Sequence, residues 1–194
     1  MREPAHQRIG PLIAELIETL PPDLDRPFAI FGHSFGALVA FELTRALRQV
    51  GLPSPKLLIV SGRVAPQLPL RRRPIHALPD AEFRDELRRL DGTPRAVLDH
   101  QELMGLYTPI IRADLAVNES YDYRDEPPLD IPLLALGGLD DTLVSRDDLA
   151  AWSDQTRNRF ECLSFPGGHF FLQSSTPDLL ATLTRALLPL QETL

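Results

Sequence analysis

The sequence predicts an α/β fold built on a mostly parallel β-sheet. Four short apolar runs have the length of buried strands, at 28–31, 56–60, 131–136 and 160–165. They alternate with segments whose apolar residues recur at helical spacing. Strands that alternate with helices form parallel βαβ units with right-handed crossovers. At 194 residues, the chain is long enough for one sizeable core and short for two domains.

Helices are expected between and beside these strands. The apolar pattern predicts them at 6–20, 36–50 and 146–156, and from Pro177 to the end of the chain. The second of these begins directly after the first strand, so a strand, a tight turn and a helix follow one another without a spacer.

The stretch 75–123 interrupts the alternation. It has helical patterns at 82–91 and 94–106, Pro109 interrupts the pattern after them, and no segment has a convincing strand pattern. Roughly 70 residues separate the second and third strands, whereas a crossover needs only about a dozen. Ordinary crossover helices are the alternative, but this length favours an inserted helical subdomain. The expected organisation is a core of residues 1–74 and 124–194 with a helical insertion at 75–123.

Composition excludes several classes of function. Lys and Arg total 20 against 27 Asp and Glu, and the net charge of −7 argues against binding to nucleic acid or to an anionic membrane. The single cysteine, Cys162, excludes an internal disulfide framework and fits buried packing in a strand. No apolar run approaches the ~18 residues of a membrane span, and the N-terminus lacks a signal-peptide core. We therefore expect a cytoplasmic protein that needs no metal or cofactor.

The motif that indicates chemistry is Gly32-His33-Ser34-Phe35-Gly36, which fits the G-x-S-x-G nucleophile elbow. Such a match is weak by itself, but here an apolar strand precedes it and an amphipathic helix comes after it, as the elbow requires. The two glycines are expected to remove side chains that would collide across the turn. The hydroxyl of Ser34 would then project at the carboxyl end of the sheet, beside a helix N-terminus that favours negative charge.

A nucleophilic serine needs a histidine base and an orienting carboxylate, in the chain order Ser, Asp or Glu, His for this architecture. Of the five histidines, His169 is the best placed, because it follows the last strand after two glycines. Two adjacent candidates for the carboxylate, Asp140 and Asp141, follow the third strand. The local pattern Gly138, Asp141, Val144 favours Asp141.

Taken together, the motifs resemble the type II (external, editing) thioesterases of modular polyketide and nonribosomal peptide synthesis, which are α/β-hydrolases with helices on both faces of the sheet. The resemblance covers practically the whole chain. The segments that carry it include Gly32-His33-Ser34-Phe35-Gly36-Ala37, His76-Ala77-Leu78-Pro79-Asp80, Pro109-Ile110-Ile111-Arg112-Ala113-Asp114, Glu119-Ser120-Tyr121 and Pro166-Gly167-Gly168-His169-Phe170-Phe171-Leu172.

The resemblance implies a role for each site residue. It makes Ser34 the nucleophile, His169 the base, Asp141 the acid and the backbone N–H of Phe35 one donor of the oxyanion hole. The helical insertion would be a mobile lid over the acyl chamber. The implied substrates are misprimed or stalled acyl groups on the phosphopantetheine arm of an acyl- or peptidyl-carrier protein, in antibiotic biosynthesis. The full-length form is expected to be a monomer.

In one respect the chain departs from that family. Its relatives carry on the order of 60 more residues before Glu3, including the segment that supplies the second oxyanion donor, so that donor is missing from this chain. The strand at 28–31 would then be an exposed, aggregation-prone edge. We therefore expect that the N-terminal strands are missing and that this short form is a poor catalyst. Either Met1 is not the natural start or the chain is a fragment.

Two other functions remain open at the level of sequence. The same triad would serve a general serine esterase or lipase acting on small acyl substrates. Alternatively, a truncated form would bind carrier proteins without turnover. The run Arg71-Arg72-Arg73 could dock an acidic carrier protein, although such charge runs are more often solvated loops.

Overall fold

A computed structural model describes residues 5–20, 24, 26–90 and 92–191. The chain folds as two compact units. One unit consists of Leu70–Asp122 and the described residues up to Leu12, and it contains no strand among those residues. The other consists of the described residues of Ile13–Pro69 and those from Tyr123 onward, and it contains the whole described sheet.

In the part of the chain that the structure describes, the sheet has four strands, all parallel, in the order β1-β2-β3-β4. The strands are β1 (Ala29–His33), β2 (Leu57–Ser61), β3 (Leu133–Gly138) and β4 (Phe160–Phe165). All four predicted strands exist, although β3 lies two residues further along the chain than the apolar run at 131–136 suggested. Among the described residues β1 pairs on one side only, with β2, and its Phe31 is 43% exposed.

Helices cover both faces of the sheet, as expected for this fold class. On one face, helix α2 (Phe35–Gln49) and a 3-10 turn (Ala151–Gln155) pack on the strands, and the ring of Phe41 meets that of the fully buried Trp152 at 5.4 Å. On the other face, α7 (Phe171–Ser174) and α8 (Thr176–Gln191) pack on the alternate side chains of the same strands. Because both faces are covered, the five residues of β2 are all buried.

The remaining helices are α1 (Ile9–Thr19), α3 (Asp80–Leu90), α4 (Arg95–Leu98), α5 (Gln101–Glu119) and α6 (Arg146–Ala150). The single helix predicted at 146–156 is therefore a short α-helix followed by the 3-10 turn. In the described ranges, no helix is long and apolar enough to cross a membrane.

The helical unit corrects one prediction. A helix at 94–106 with Pro109 interrupting was expected, but α5 begins at Gln101 and continues through Pro109 to Glu119. A proline inside a helix costs about 3 kcal/mol, since it lacks the N–H that the helix would use. Packing compensates here, because Met104 and Ile111, on either side of the proline, belong to one apolar cluster.

Candidate active site

Ser34 is the single residue between the end of β1 and the start of α2. Its φ of 53° makes it the only described non-glycine residue with a positive φ. Its N–H donates to the carbonyl oxygen of Ser61 at 2.7 Å, which ties the turn to β2. A backbone of this kind stores on the order of 1–3 kcal/mol of strain. The Ser34 hydroxyl does not cap the helix that it precedes, so it is available to another partner.

The two glycines of the elbow have different roles. A Cβ on Gly32 would lie 2.1 Å from the carbonyl oxygen of Gly36, so only glycine fits at that position. A Cβ on Gly36 would meet nothing within 4 Å. The expectation that both glycines prevent a collision is therefore right for Gly32 and wrong for Gly36.

His169 lies beyond the end of β4, after a turn in which Gly167 has a φ of 111°. Its Nε2 is 3.0 Å from the Oγ of Ser34, and its Nδ1 is 2.8 Å from the Oδ2 of Asp141. An ionised carboxylate can only accept, so Nδ1 carries the proton and Nε2 presents its lone pair to the serine hydroxyl. The imidazole is thus oriented to accept a proton from Ser34.

Asp141 lies beyond the end of β3, and its side chain is fully buried. Its Oδ1 accepts hydrogen bonds from the backbone N–H groups of Leu143 at 2.8 Å and Val144 at 3.2 Å. Burial alone would raise the pKa of the Asp141 carboxyl, but the hydrogen bonds from His169 and from these two N–H groups outweigh it and hold the pKa below its usual value. The neighbouring Asp140 is exposed, so of the two candidates the structure brings Asp141 to the histidine.

Phe35 is the first residue of α2, so its N–H has no acceptor within its own helix. It lies directly after the nucleophile candidate, at the positive end of the helix dipole. This is the position from which a backbone donor stabilises an oxyanion. The roles of Phe35 and of a second oxyanion donor stay predictions.

The sequence did not predict the position of His33, the second residue of the elbow, beside the candidate base. The His33 ring lies 5.1 Å from the His169 ring between centroids, and its Nδ1 is 2.9 Å from the Oγ of Ser61. Burial, and next the neighbouring His169, lower the pKa of His33 to about 4, although Asp141 acts in the opposite direction. Its position inside the G-x-S-x-G motif was the one signal in the sequence that could have drawn attention to it.

Other histidines and an arginine of the helical unit have local partners, and the single cysteine lies in the sheet. The Nδ1 of His76 is 2.5 Å from a carboxylate oxygen of Glu119, and a ring nitrogen of His100 caps α5. A guanidinium nitrogen of Arg73 lies 3.2 Å from a carboxylate oxygen of Glu86. Cys162 is half-buried in β4, where burial raises the pKa of its thiol. The docking role of the arginine run remains a prediction.

The site therefore consists of a serine, a histidine and an aspartate at the carboxyl ends of three parallel strands. Their hydrogen bonds form one continuous chain from hydroxyl to carboxylate. A serine on a strained strand-to-helix turn, with its partners in the chain order Ser, Asp, His, is the arrangement of an α/β-hydrolase.

Comparison with known proteins narrows this class. The thioesterase domain family matches residues 1–187. Gramicidin S biosynthesis protein GrsT of Aneurinibacillus migulanus is 42% identical over 181 residues, which are 93% of this chain and 70% of GrsT. Linear gramicidin dehydrogenase LgrE of Brevibacillus parabrevis is 43% identical over 189 residues, 95% of this chain and 72% of LgrE. The solved structure of the type II thioesterase BorB, from the borrelidin biosynthetic cluster, superposes with a TM-score of 0.86 at 38% identity, covering 95% of this chain and 75% of BorB.

The chain belongs to the thioesterase family. It is a serine hydrolase that acts on thioesters, and its similarity to BorB confirms the resemblance to type II thioesterases drawn from the sequence motifs. The α/β-hydrolase fold predicted on the same grounds is confirmed as well.

Proposed function

We propose that this thioesterase removes acyl groups from the phosphopantetheine arm of carrier proteins, with Ser34 as nucleophile, His169 as base and Asp141 as the orienting acid. The observation that carries the proposal is the hydrogen-bonded chain of 3.0 Å and 2.8 Å that joins these three side chains. The association of GrsT with gramicidin S biosynthesis and of BorB with a borrelidin cluster supports a substrate from modular peptide or polyketide synthesis.

In the proposed reaction each of these side chains has one role. The Oγ of Ser34 attacks the thioester carbonyl while its proton passes to the Nε2 of His169, 3.0 Å away. The negative charge that develops on the carbonyl oxygen is stabilised by the N–H of Phe35. The carbon–sulfur bond then breaks, and the departing sulfur receives the proton from His169. The acyl group is left on Ser34 as an ester.

Water completes the turnover. His169 accepts a proton from the water molecule that attacks the acyl-serine, and then returns it to the Oγ of Ser34 as the free acid leaves. In both halves of the reaction the imidazole becomes positively charged. The buried Asp141 carboxylate, ionised because its pKa lies below the usual value, stabilises that charge.

The substrate class is tested by presenting one acyl chain in three forms: on a carrier protein through phosphopantetheine, on free pantetheine, and as a simple oxyester. We expect the highest kcat/KM on the carrier protein, with the free acid as product, and no turnover by Ser34→Ala. Faster hydrolysis of the oxyester would instead identify a general esterase. Carrier binding without turnover would identify a binding module. Because LgrE is described as a dehydrogenase, the product is analysed as well, and an aldehyde would contradict hydrolysis.

The nucleophile is tested independently of the substrate. A fluorophosphonate probe should attach to Ser34, as read by peptide mass spectrometry, and Ser34→Ala should abolish the adduct. Ser164, an exposed serine of β4, provides the matched control: Ser164→Ala should leave labelling unchanged. An adduct that persists elsewhere in the Ser34→Ala protein would contradict the assignment.

A further inference from the structure

We propose that His33 is a positioning residue for the His169 base. The hydroxyl of Ser61 holds the His33 ring, which packs against Gly62. The proposal rests on the proposed role of His169 in the reaction. It assigns to the second residue of the elbow a function distinct from those of the nucleophile, base and acid.

The His33 ring is part of the surroundings of the His169 imidazole. The two rings are tilted by 47° at 5.1 Å between centroids, and both contact the ring of Phe170, at 5.9 Å and 5.1 Å. Phe171, which is fully buried, meets His33 edge-on at 6.1 Å. A displacement of the His33 ring would therefore change the space in which the His169 imidazole lies.

The tether of the His33 ring comes from the neighbouring strand. Ser61, the last residue of β2, is fully buried, and its Oγ lies 2.9 Å from the Nδ1 of His33. The backbone carbonyl of Ser61 also accepts the N–H of Ser34. One residue of β2 thus holds both the turn that carries the nucleophile and the ring that lies beside the base.

The backbone of Gly62, which has a φ of 58°, packs against both imidazoles. A Cβ at this position would lie 2.6 Å from the Cε1 of His33 and 3.3 Å from the Cε1 of His169. The rings are packed so closely on Gly62 that any side chain larger than hydrogen must displace the His33 ring. That displacement would change the packing beside His169.

Histidine is a costly choice at position 33 if the ring serves only as packing. Its Nε2 is buried and has no hydrogen-bond partner among the described residues. Leaving such a group unpaired is unfavourable, so phenylalanine would fill the same space with a smaller penalty. The tether to Ser61 is what a histidine provides and a phenylalanine does not.

The environment also keeps the His33 ring uncharged at neutral pH. The side chains that face it are Ser61, His169, Phe170, Phe171 and, at longer range, Asp141. Burial is the main reason that the pKa of His33 falls to about 4. A neutral neighbour does not repel the positive charge that His169 acquires when it accepts the proton of Ser34.

The test is a double-mutant cycle with His33→Phe and Ser61→Ala, which remove the same hydrogen bond from its two ends. Each variant should lower kcat about tenfold with KM unchanged, and the double variant should lose little more than either single one. The rate of fluorophosphonate labelling at Ser34 should fall by the same factor. The melting temperature of His33→Phe should be unchanged or higher. If His33 had a purely structural role, activity would be lost only together with stability. Ser164→Ala is the matched serine control.

Labelling separates this proposal from the proposed function. If the wild-type protein is labelled at Ser34 but does not prefer carrier substrates, only the substrate proposal fails, and the labelling rates still decide the role of His33. The positioning role would be overturned if His33→Phe had the kcat and labelling rate of the wild type. If His33→Phe does not fold, the same result in Ser61→Ala would overturn it. Additive losses in the double variant would do the same.

Discussion

Replacing Asp141 by asparagine should disable the site while leaving its shape intact. The carboxylate has two jobs: Oδ1 accepts the N–H groups of Leu143 and Val144, and Oδ2 faces the Nδ1 of His169. Asparagine has only one oxygen, so if that oxygen keeps the two backbone N–H groups, its NH₂ group must face Nδ1. Nδ1 then has to accept, and the proton of the imidazole moves to Nε2. With a proton there, His169 cannot accept one from Ser34.

The size of the loss is set by this change of tautomer. The corresponding replacement in a serine protease lowers kcat by about 10⁴, which equals about 5.5 kcal/mol of transition-state stabilisation. We expect a loss of that order for Asp141→Asn. The matched control is Asp140→Asn, which makes the same chemical change on the adjacent, exposed residue and should alter kcat less than threefold.

Both variants would be compared by kcat on an acyl-carrier substrate and by the rate of fluorophosphonate labelling, with a thermal unfolding curve to verify that each is folded. The labelling rate should fall with kcat, because both reactions need a free lone pair on the Nε2 of His169. Two results would refute the reasoning: a loss below tenfold in folded Asp141→Asn, or a larger loss in Asp140→Asn.

The remaining predictions concern stability. Because the pKa of His33 is about 4 in the folded chain against 6.5 for the ordinary group, the unfolded state binds more protons between these values. The free energy of unfolding should be at its full value above pH 6.5 and should fall as the pH drops from 6.5 towards 4. Denaturant titrations at several pH values should show this slope in the wild type, whereas an equal slope in His33→Phe would assign it to other groups. Gly32→Ala should prevent folding or strongly lower the melting temperature, because its Cβ would meet backbone at 2.1 Å. Gly36→Ala should unfold at or above the wild-type temperature, and a similar penalty for both would contradict the geometry of the elbow.

The sequence by itself determined the features that depend on neighbours along the chain. Apolar runs of strand length predicted all four strands, and the direct succession of strand, glycine turn and helix identified Ser34. Because the strands were predicted to be parallel, the segments after β3 and β4 were expected at the same edge as the elbow, which made His169 the candidate base and left two candidates for the acid. The structure brings these three residues together, because local periodicity and chain order set which ends of a parallel sheet coincide.

Only the tertiary structure decided the features that depend on contacts distant in sequence. The orientation of the loop after β3 turns Asp141 inward and leaves Asp140 exposed, a difference that the local motif favoured but did not establish. The helix through Pro109 persists because packing across its unit outweighs a local penalty. The tether from Ser61 to His33 joins residues that are 28 positions apart. No local pattern encodes such a pair, because it exists only once β1 and β2 lie side by side.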